Sequence, residues 1–149
     1  MSRSARIASR AALAVTVMFV LFGTLFPFRF VADVGAADVL TRFGESFATS
    51  PKKADVIINI VLFAPIGFFL ALALPPERSS SSRAISATLL GCALSVCIES
   101  AQAMTLWRFT SGFDVIANTV GTACGAALFA CLVRKSRLTR TQKASETSS

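Results

Sequence analysis

Four long stretches with almost no charge constrain this chain more than any other feature. Residues 11–28, 56–76 and 115–133 contain no charged side chain, and residues 84–107 contain one, Glu99. A helix needs roughly 20 apolar residues to cross a hydrocarbon core of about 30 Å. The sequence therefore predicts an all-α integral membrane bundle of four transmembrane helices. A hydrophobic fraction of 54% and a mean hydropathy of +0.65 argue against a soluble domain.

The placement of basic residues predicts how the bundle is oriented. Ten of them lie before the first predicted helix, in the loop between the second and third, and after the fourth, and five lie on the other side. The ten are Arg3, Arg6, Arg10, Arg78, Arg83, Arg134, Lys135, Arg137, Arg140 and Lys143, and the five are Arg29, Arg42, Lys52, Lys53 and Arg108. The positive-inside rule then puts both termini in the cytoplasm and predicts a multi-pass protein of the cell inner membrane. We attribute the net charge of +7 to topology and expect no nucleic-acid partner.

The predicted organisation has three parts. A basic cytoplasmic tail covers residues 1–10, a four-helix transmembrane domain covers 11–133, and a polar, disordered cytoplasmic tail covers 134–149. The predicted helices lie at about 11–28, 55–75, 84–106 and 113–133. The first apolar run exceeds a signal-peptide core of about 7–15 residues, which favours an uncleaved signal anchor over the alternative, a cleaved signal peptide.

The segment between the first two predicted helices, residues 29–54, leaves two interpretations open. Val39, Leu40, Phe43 and Phe47 follow one another at helical spacing, which predicts an amphipathic helix in the outer interface. A disordered loop would also show scattered aromatic residues.

The composition gives no support for a metal site or a cofactor. The chain has no histidine, and its four cysteines all fall inside predicted helices. Cys92 and Cys97 are five residues apart and point to nearly opposite faces of one helix, so they cannot chelate together. We interpret the cysteines as small packing residues.

Polar side chains follow one narrow face of each of two predicted helices. At 100° per residue, Asp114 and Asn118 share a face of the fourth helix, and five residues share a face of the third. Those five are Thr88, Cys92, Ser95, Glu99 and Gln102. Because a carboxylate facing lipid is costly, we predict that these faces meet in a polar cluster that opens outward. The polar cluster comprises Asn59, Glu99, Gln102, Asp114 and Asn118.

Two residues are predicted to border the polar cluster. Arg108 at its rim is placed to pair with Glu99 or Asp114, and Trp107 marks the membrane interface. The cluster has two interpretations. Interhelical hydrogen bonding alone accounts for Asn59, Gln102 and Asn118 taken singly, whereas the ionisable groups favour a functional site.

Four residues are predicted to shape helix packing. Pro65 lies in the middle of the second helix, where it removes a backbone hydrogen bond and favours a kink, and Gly67 adds no bulk nearby. Gly121 and Gly125 form a G-x-x-x-G pattern, which permits close approach of helices. The same pair could support a homo-oligomer.

Three motifs in order make the chain resemble the VanZ-like family of small membrane proteins. They are NIVLFAPIGFFL at 59–70, SVCIESAQ at 95–102 and RFTSGFDVIANTVGTACG at 108–125, so the core of the resemblance spans 59–125. The positions that match the family's motifs are Asn59, Phe63, Pro65, Gly67, Glu99, Gln102, Arg108, Asp114, Asn118, Gly121 and Gly125. One position departs, since Ala117 stands where the family often has a second acidic residue.

The resemblance implies a connection to the cell envelope. The family takes its name from a protein linked to low-level resistance to the lipoglycopeptide teicoplanin, so antibiotic resistance is what the name suggests. Together with the polar cluster, it favours a protein that binds or handles a lipid-linked or amphiphilic envelope molecule in the bilayer. The alternatives are an intramembrane hydrolase or transferase that uses Glu99 and Asp114 as acid and base, and an ion or proton pathway. The lack of histidine and tyrosine weighs against an enzyme.

Overall fold

The computed structural model of the chain describes residues 3–31, 34–48, 50–105 and 110–146. Over these ranges it contains five α-helices and no strand, with one isolated antiparallel bridge between Phe30 and Thr105. The helices are α1 (Arg3–Leu25), α2 (Ala36–Ser46), α3 (Lys53–Ala73), α4 (Ser80–Ala103) and α5 (Gly112–Glu146). The predicted all-α class is confirmed.

Four of these helices are long and apolar enough to cross a membrane. The candidate spans are Ile7–Leu25, Lys53–Ala73, Ser80–Ala103 and Gly112–Ser136. Their outer sides carry large apolar side chains, and Val15, Val61 and Leu89 are each more than 60% exposed. Such surfaces suit lipid rather than water. The chain is therefore a multi-pass membrane protein with four spans, as predicted.

The spanning helices alternate in direction. The Val31 N–H after α1 donates to the Met104 carbonyl after α4, at 2.8 Å, so α1 and α4 end on the same side. Arg83, in the first turn of α4, bonds the last turn of α3. We call the side where α3 and α5 begin the cluster end, and the opposite side the far end.

The structure differs from the sequence prediction in two terminal segments. α1 begins at Arg3 rather than near residue 11, and α5 continues to Glu146 where a disordered tail at 134–149 is predicted. Residues 134–146 contain Arg, Lys, Gln, Ala and Leu but no glycine or proline, so their intrinsic helix propensity is good. Because they extend an existing helix, they avoid the cost of nucleating a new one.

The segment between α1 and α3 contains a helix rather than a loop without secondary structure. α2 is amphipathic, with Val39 and Phe43 partly buried and the charged side chains of Asp38 and Glu45 exposed. The amphipathic helix predicted for this segment is confirmed, and its place in the outer interface stays a prediction. Within the described residues, α2 packs only against α4 and α5, both at the cluster end.

Glycines bring the backbones of α3 and α5 into direct contact. A Cβ atom at Gly125 would overlap the Ala64 carbonyl, and one at Gly121 would overlap the Ile60 carbonyl. Gly67 on α3 lies in the same way against the Thr122 backbone of α5. This is the close approach that the G-x-x-x-G pattern predicts. Since α3 already occupies Gly121 and Gly125, a second copy of the chain would have to use another surface.

Pro65 does not take part in this contact. It lies on the exposed side of α3, and the helix is continuous through it from Lys53 to Ala73.

Two apolar cores fill the rest of the bundle. One contains Val20, Phe63, Ile66 and Ile98, and the other contains Ala71, Ala87, Ala126 and Phe129.

Arg83 is a buried cation at the far end and caps α3. Its Nε donates to the Ala71 carbonyl at 2.8 Å, and Nη2 donates to the Leu72 carbonyl at 2.9 Å. Its guanidinium also lies 4.5 Å from the ring centroid of Phe129 on α5. The last carbonyls of a helix lack partners within the helix, so Arg83 satisfies polar groups that lipid could not.

We expect Gly125→Ala to destabilise the bundle, because the added methyl would push α3 and α5 apart. Overpacking of this kind costs about 1–3 kcal/mol. Thermal unfolding of the purified protein in detergent measures the change. Gly23→Ala is the matched control, since a Cβ at Gly23 would meet nothing within 4 Å and should leave stability unchanged or slightly higher. Equal melting temperatures for the two variants would contradict this packing.

Loss of the buried cap at Arg83 should also destabilise the fold. Arg83→Gln removes two charge-assisted hydrogen bonds and leaves carbonyls without partners, which we expect to lower the free energy of unfolding by about 2–3 kcal/mol. Arg78→Gln, at an exposed position in the loop before α4, should change it little. Chemical unfolding of the two variants in one detergent compares them directly, and a small effect at Arg83 would show that the cap is dispensable.

Candidate functional site

Glu99 lies at the junction of α4 and α5 and is only 2% exposed. Its Oε2 accepts the Ser111 N–H at 2.8 Å and lies 3.4 Å from the Thr110 hydroxyl, which is placed to donate to it. Ser111 directly precedes α5, where unpaired N–H groups and the helix dipole favour a negative charge. Glu99 therefore holds the beginning of α5 against the last turns of α4.

Asp114 connects α5 to α3. Its side chain interacts with the side chains of Ser111 and Asn59, and the Asp55 carboxylate lies near it. Asp114 and Asn59 are partly buried, whereas Asp55 is exposed. The Asp114 carboxylate therefore lies at the more accessible edge of the cluster. Ser111 contacts both acidic residues of the polar cluster, because its N–H bonds Glu99 while its side chain lies at Asp114.

Asn118 lies one turn further along α5 and is 3% exposed. Its Nδ2 donates to the Ser95 hydroxyl of α4 at 2.8 Å. Its Oδ1 is buried and has no hydrogen-bond partner among the described residues. Buried amide oxygens are nearly always paired, so this atom is the exceptional polar group of the site.

Gln102 points to a different neighbour from the rest of the polar cluster. Its Nε2 donates to the Thr24 carbonyl in the last turn of α1, at 3.0 Å. That carbonyl is one of those that a helix end leaves without an internal partner. Gln102 thus has a packing contact of its own and connects α4 to α1.

α2 lies over part of the cluster end, at the start of α5. The Ser46 hydroxyl of α2 accepts the Gly112 N–H at 2.8 Å, and the Phe47 ring lies against Gly112, where a Cβ would overlap it. The Phe47 and Phe113 rings are 5.3 Å apart. On the other side, Arg42 donates to the Ala103 carbonyl at the end of α4. The physical reason is that α2 buries its partly apolar face on this end.

The structure thus brings together four residues of the predicted cluster, Asn59, Glu99, Asp114 and Asn118, at the α3, α4 and α5 junction. Arg108 and Trp107, predicted at its rim, lie outside the described residues. The described part of the chain contains no group of three or more cysteine, aspartate or glutamate side chains arranged as a metal site.

Sequence reasoning missed Thr110 and Ser111, which contact Glu99. A signal for Ser111 was available, since serine followed three residues later by an acidic residue is the pattern of a helix N-cap. The Asp114 N–H does bond the Ser111 side chain, at 3.2 Å. No local pattern could have indicated Ser46, which is 66 residues from its partner Gly112.

Comparison with known proteins places this architecture in a family. A model of the family described as VanZ/LLP1 matches residues 3–134. This range includes three membrane spans in full and the fourth, Gly112–Ser136, except for its last two residues. The chain belongs to the VanZ/LLP1 family. The resemblance in the three sequence motifs is thereby confirmed over a longer part of the chain. No curated protein and no solved structure matches it.

We expect Glu99→Leu to destabilise this VanZ/LLP1 chain more than Glu99→Gln. Leucine would leave the Ser111 N–H buried without its acceptor, at a cost of about 1–3 kcal/mol, whereas glutamine keeps an acceptor oxygen. Chemical unfolding in detergent measures both, with Glu77→Leu in the exposed α3–α4 loop as control. If Glu99→Leu matched the control, Glu99 would not be what holds the start of α5.

Proposed function

We propose that this VanZ/LLP1 membrane protein binds the polar head of an amphiphilic envelope molecule at the polar cluster. The observation that carries the proposal is the Oδ1 atom of Asn118, buried at a helix junction and without a hydrogen-bond partner among the described residues. A buried acceptor without a partner costs about 1–3 kcal/mol. Such a cost is understandable if a bound molecule supplies the missing donor.

The surroundings of Asn118 indicate what that molecule would offer. The amide nitrogen of Asn118 donates to Ser95, so the atom of this amide without a partner among the described residues is an acceptor. Glu99 and Asp114 lie in the same cluster and accept hydrogen bonds as carboxylates. These groups fit a head group rich in hydroxyl, amide or amine donors.

The position of the cluster indicates that the ligand is amphiphilic. Asn59 and Asp114 lie within the first two turns of α3 and α5, near one end of the membrane spans. Exposed apolar side chains flank them on the same helices, with Ile58 54% and Ile116 53% exposed. A molecule with its head at the cluster would lay its hydrocarbon part along such a surface.

The orientation of the protein belongs to the proposal. With both termini in the cytoplasm of a cell with an inner membrane, the cluster end would face outward, towards envelope molecules of the outer leaflet. Arg108, which precedes α5 in the sequence, is proposed to attract an anionic group of the ligand. By family resemblance, the consequence of binding would be a change in susceptibility to teicoplanin or a related lipoglycopeptide.

One observation supports a second candidate, an intramembrane hydrolase or transferase. Glu99 and Asp114 both contact Ser111, so an acid and a base would lie on either side of one residue. Against it, the Glu99 carboxylate already accepts a backbone N–H that holds the start of α5. That bond ties the carboxylate to a structural contact, so we rank binding without turnover first.

The ion or proton pathway receives less support. Below the cluster, the described interior contains large apolar side chains such as Ile66 and Phe63, at 0% and 1% exposure, and the buried Thr122 hydroxyl bonds a carbonyl of its own helix. Ala71 and Phe129 continue this layer towards the far end. An ion or a proton would meet no chain of ionisable groups along that part of the interior.

We expect Glu99→Gln, Asp114→Asn and Asn118→Ala to bind less of the amphiphile than the wild type. Losing one well-formed polar contact corresponds to about a tenfold loss of affinity. The protein is purified in mild detergent from the membranes of its host, and the co-purifying lipids are quantified by mass spectrometry. Cells carrying each variant are tested in parallel for teicoplanin susceptibility.

Thr88→Val is the matched control, because the Thr88 hydroxyl on α4 bonds the Ala84 carbonyl of its own helix and does not belong to the polar cluster. It should retain the lipids of the wild type. Thermal unfolding of every variant separates lost binding from lost structure. The proposal would be wrong if folded cluster variants kept both the same lipids and the same susceptibility as the control.

A further inference from the structure

We propose that α2 is a movable cap that controls access to the buried part of the polar cluster. The inference rests on the proposed function only for the identity of the molecule that would enter the polar cluster. The movement of α2 itself can be measured without any ligand. It concerns the contacts of Arg42, Ser46 and Phe47 with the ends of α4 and α5.

α2 lies over the start of α5, beside the Ser111 N–H group that bonds Glu99. Two successive N–H groups at the start of α5 have acceptors from different helices. The Ser111 N–H bonds Glu99 of α4, and the Gly112 N–H bonds Ser46 of α2, each at 2.8 Å. Phe47 covers Gly112 from the outside. If α2 moves away, the Gly112 N–H becomes free and the side of the cluster at Ser111 is uncovered.

Few contacts hold α2 to the described part of the bundle. Its polar contacts there are the Ser46 bond to Gly112 and the Arg42 bond to the Ala103 carbonyl, and the Phe47 ring packs beside Phe113. α2 makes no contact with α1 or α3 within the described residues. Each of its two polar bonds can be replaced by water at the surface, so little is lost when they open.

The apolar side chains of α2 have an alternative place in the membrane. Leu40 is 72% exposed and Phe47 is 52% exposed, although α2 is attached to the bundle. In a bilayer, the interface would cover such side chains, as it does for other amphipathic helices that lie in its plane. Two positions therefore compete for α2, one on the cluster end and one in the interface, and such competition is what a two-state cap requires.

The test measures access to Thr110, which is 7% exposed and lies beside Glu99. The four native cysteines are first replaced by alanine, and Thr110→Cys is introduced as the reporter. The rate of its reaction with a polar maleimide is measured in detergent micelles, where both ends of the protein are reachable. Ser50→Cys, at an exposed position, gives the rate of a freely accessible thiol.

Two changes are designed to displace the cap. The double variant Ser46→Ala, Phe47→Ala removes its contacts with Gly112 and Phe113, and Gly112→Ala forces the Phe47 ring away while leaving α2 itself unchanged. Both should raise the labelling rate of the reporter by about tenfold. Gly44→Ala is the matched control, since Gly44 also lies on α2, a Cβ there would meet nothing within 4 Å, and the rate should stay unchanged.

A second reporter detects general loosening of the fold. Ala87→Cys lies in the core near the far end and is fully buried, so it should react slowly in every variant. Faster labelling at Thr110→Cys alone is the result we expect. No change at Thr110→Cys would overturn the proposal, and so would faster labelling at both reporters, because α2 would then be a structural part of the fold. Binding of lipids is measured separately, so either proposal can fail without the other.

Discussion

Helix ends inside a membrane bundle leave backbone groups that lipid cannot satisfy, and this constraint organises the structure. In this chain, side chains of neighbouring helices supply the missing partners. Gln102 of α4 bonds the Thr24 carbonyl of α1, and Arg83 of α4 bonds the last turn of α3. Glu99 of α4 accepts the N–H of the residue before α5. These contacts fix the positions of the helices, and the glycine contacts between α3 and α5 then set their separation.

Against this background, the Oδ1 atom of Asn118 is an exception within the described part of the chain. The nitrogen of this amide donates to Ser95, but its oxygen stays buried without a partner among the described residues. The proposed function explains the exception as the place of a ligand donor. The proposed cap adds that the cluster need not be open at all times, because α2 covers it through contacts that water can replace. A polar site in a membrane can then stay closed until an amphiphile arrives.

The sequence predicts the spans well because length and apolarity act locally and are read directly along the chain. It also places Glu99 and Asn118 on facing sides of two helices, because helical periodicity is local too. What it cannot predict are partners from distant segments, such as Thr24 for Gln102, which are 78 residues apart. The contacts by which α2 covers the cluster cannot be predicted either, because they also join segments that lie far apart in the sequence. The polar tail after residue 133 is a different case, since its composition is compatible with disorder and with helix, and the preceding span decides between them.

The most direct test of the account is an experimental structure of the protein in nanodiscs made with lipids of its own membrane. The account predicts density for a bound molecule within hydrogen-bond distance of the Asn118 Oδ1, at about 2.7–3.2 Å. A side chain of the protein itself at that place, pairing with Oδ1, would contradict it. The polar cluster would then be a set of interhelical contacts, and its unusual residues would serve the fold alone.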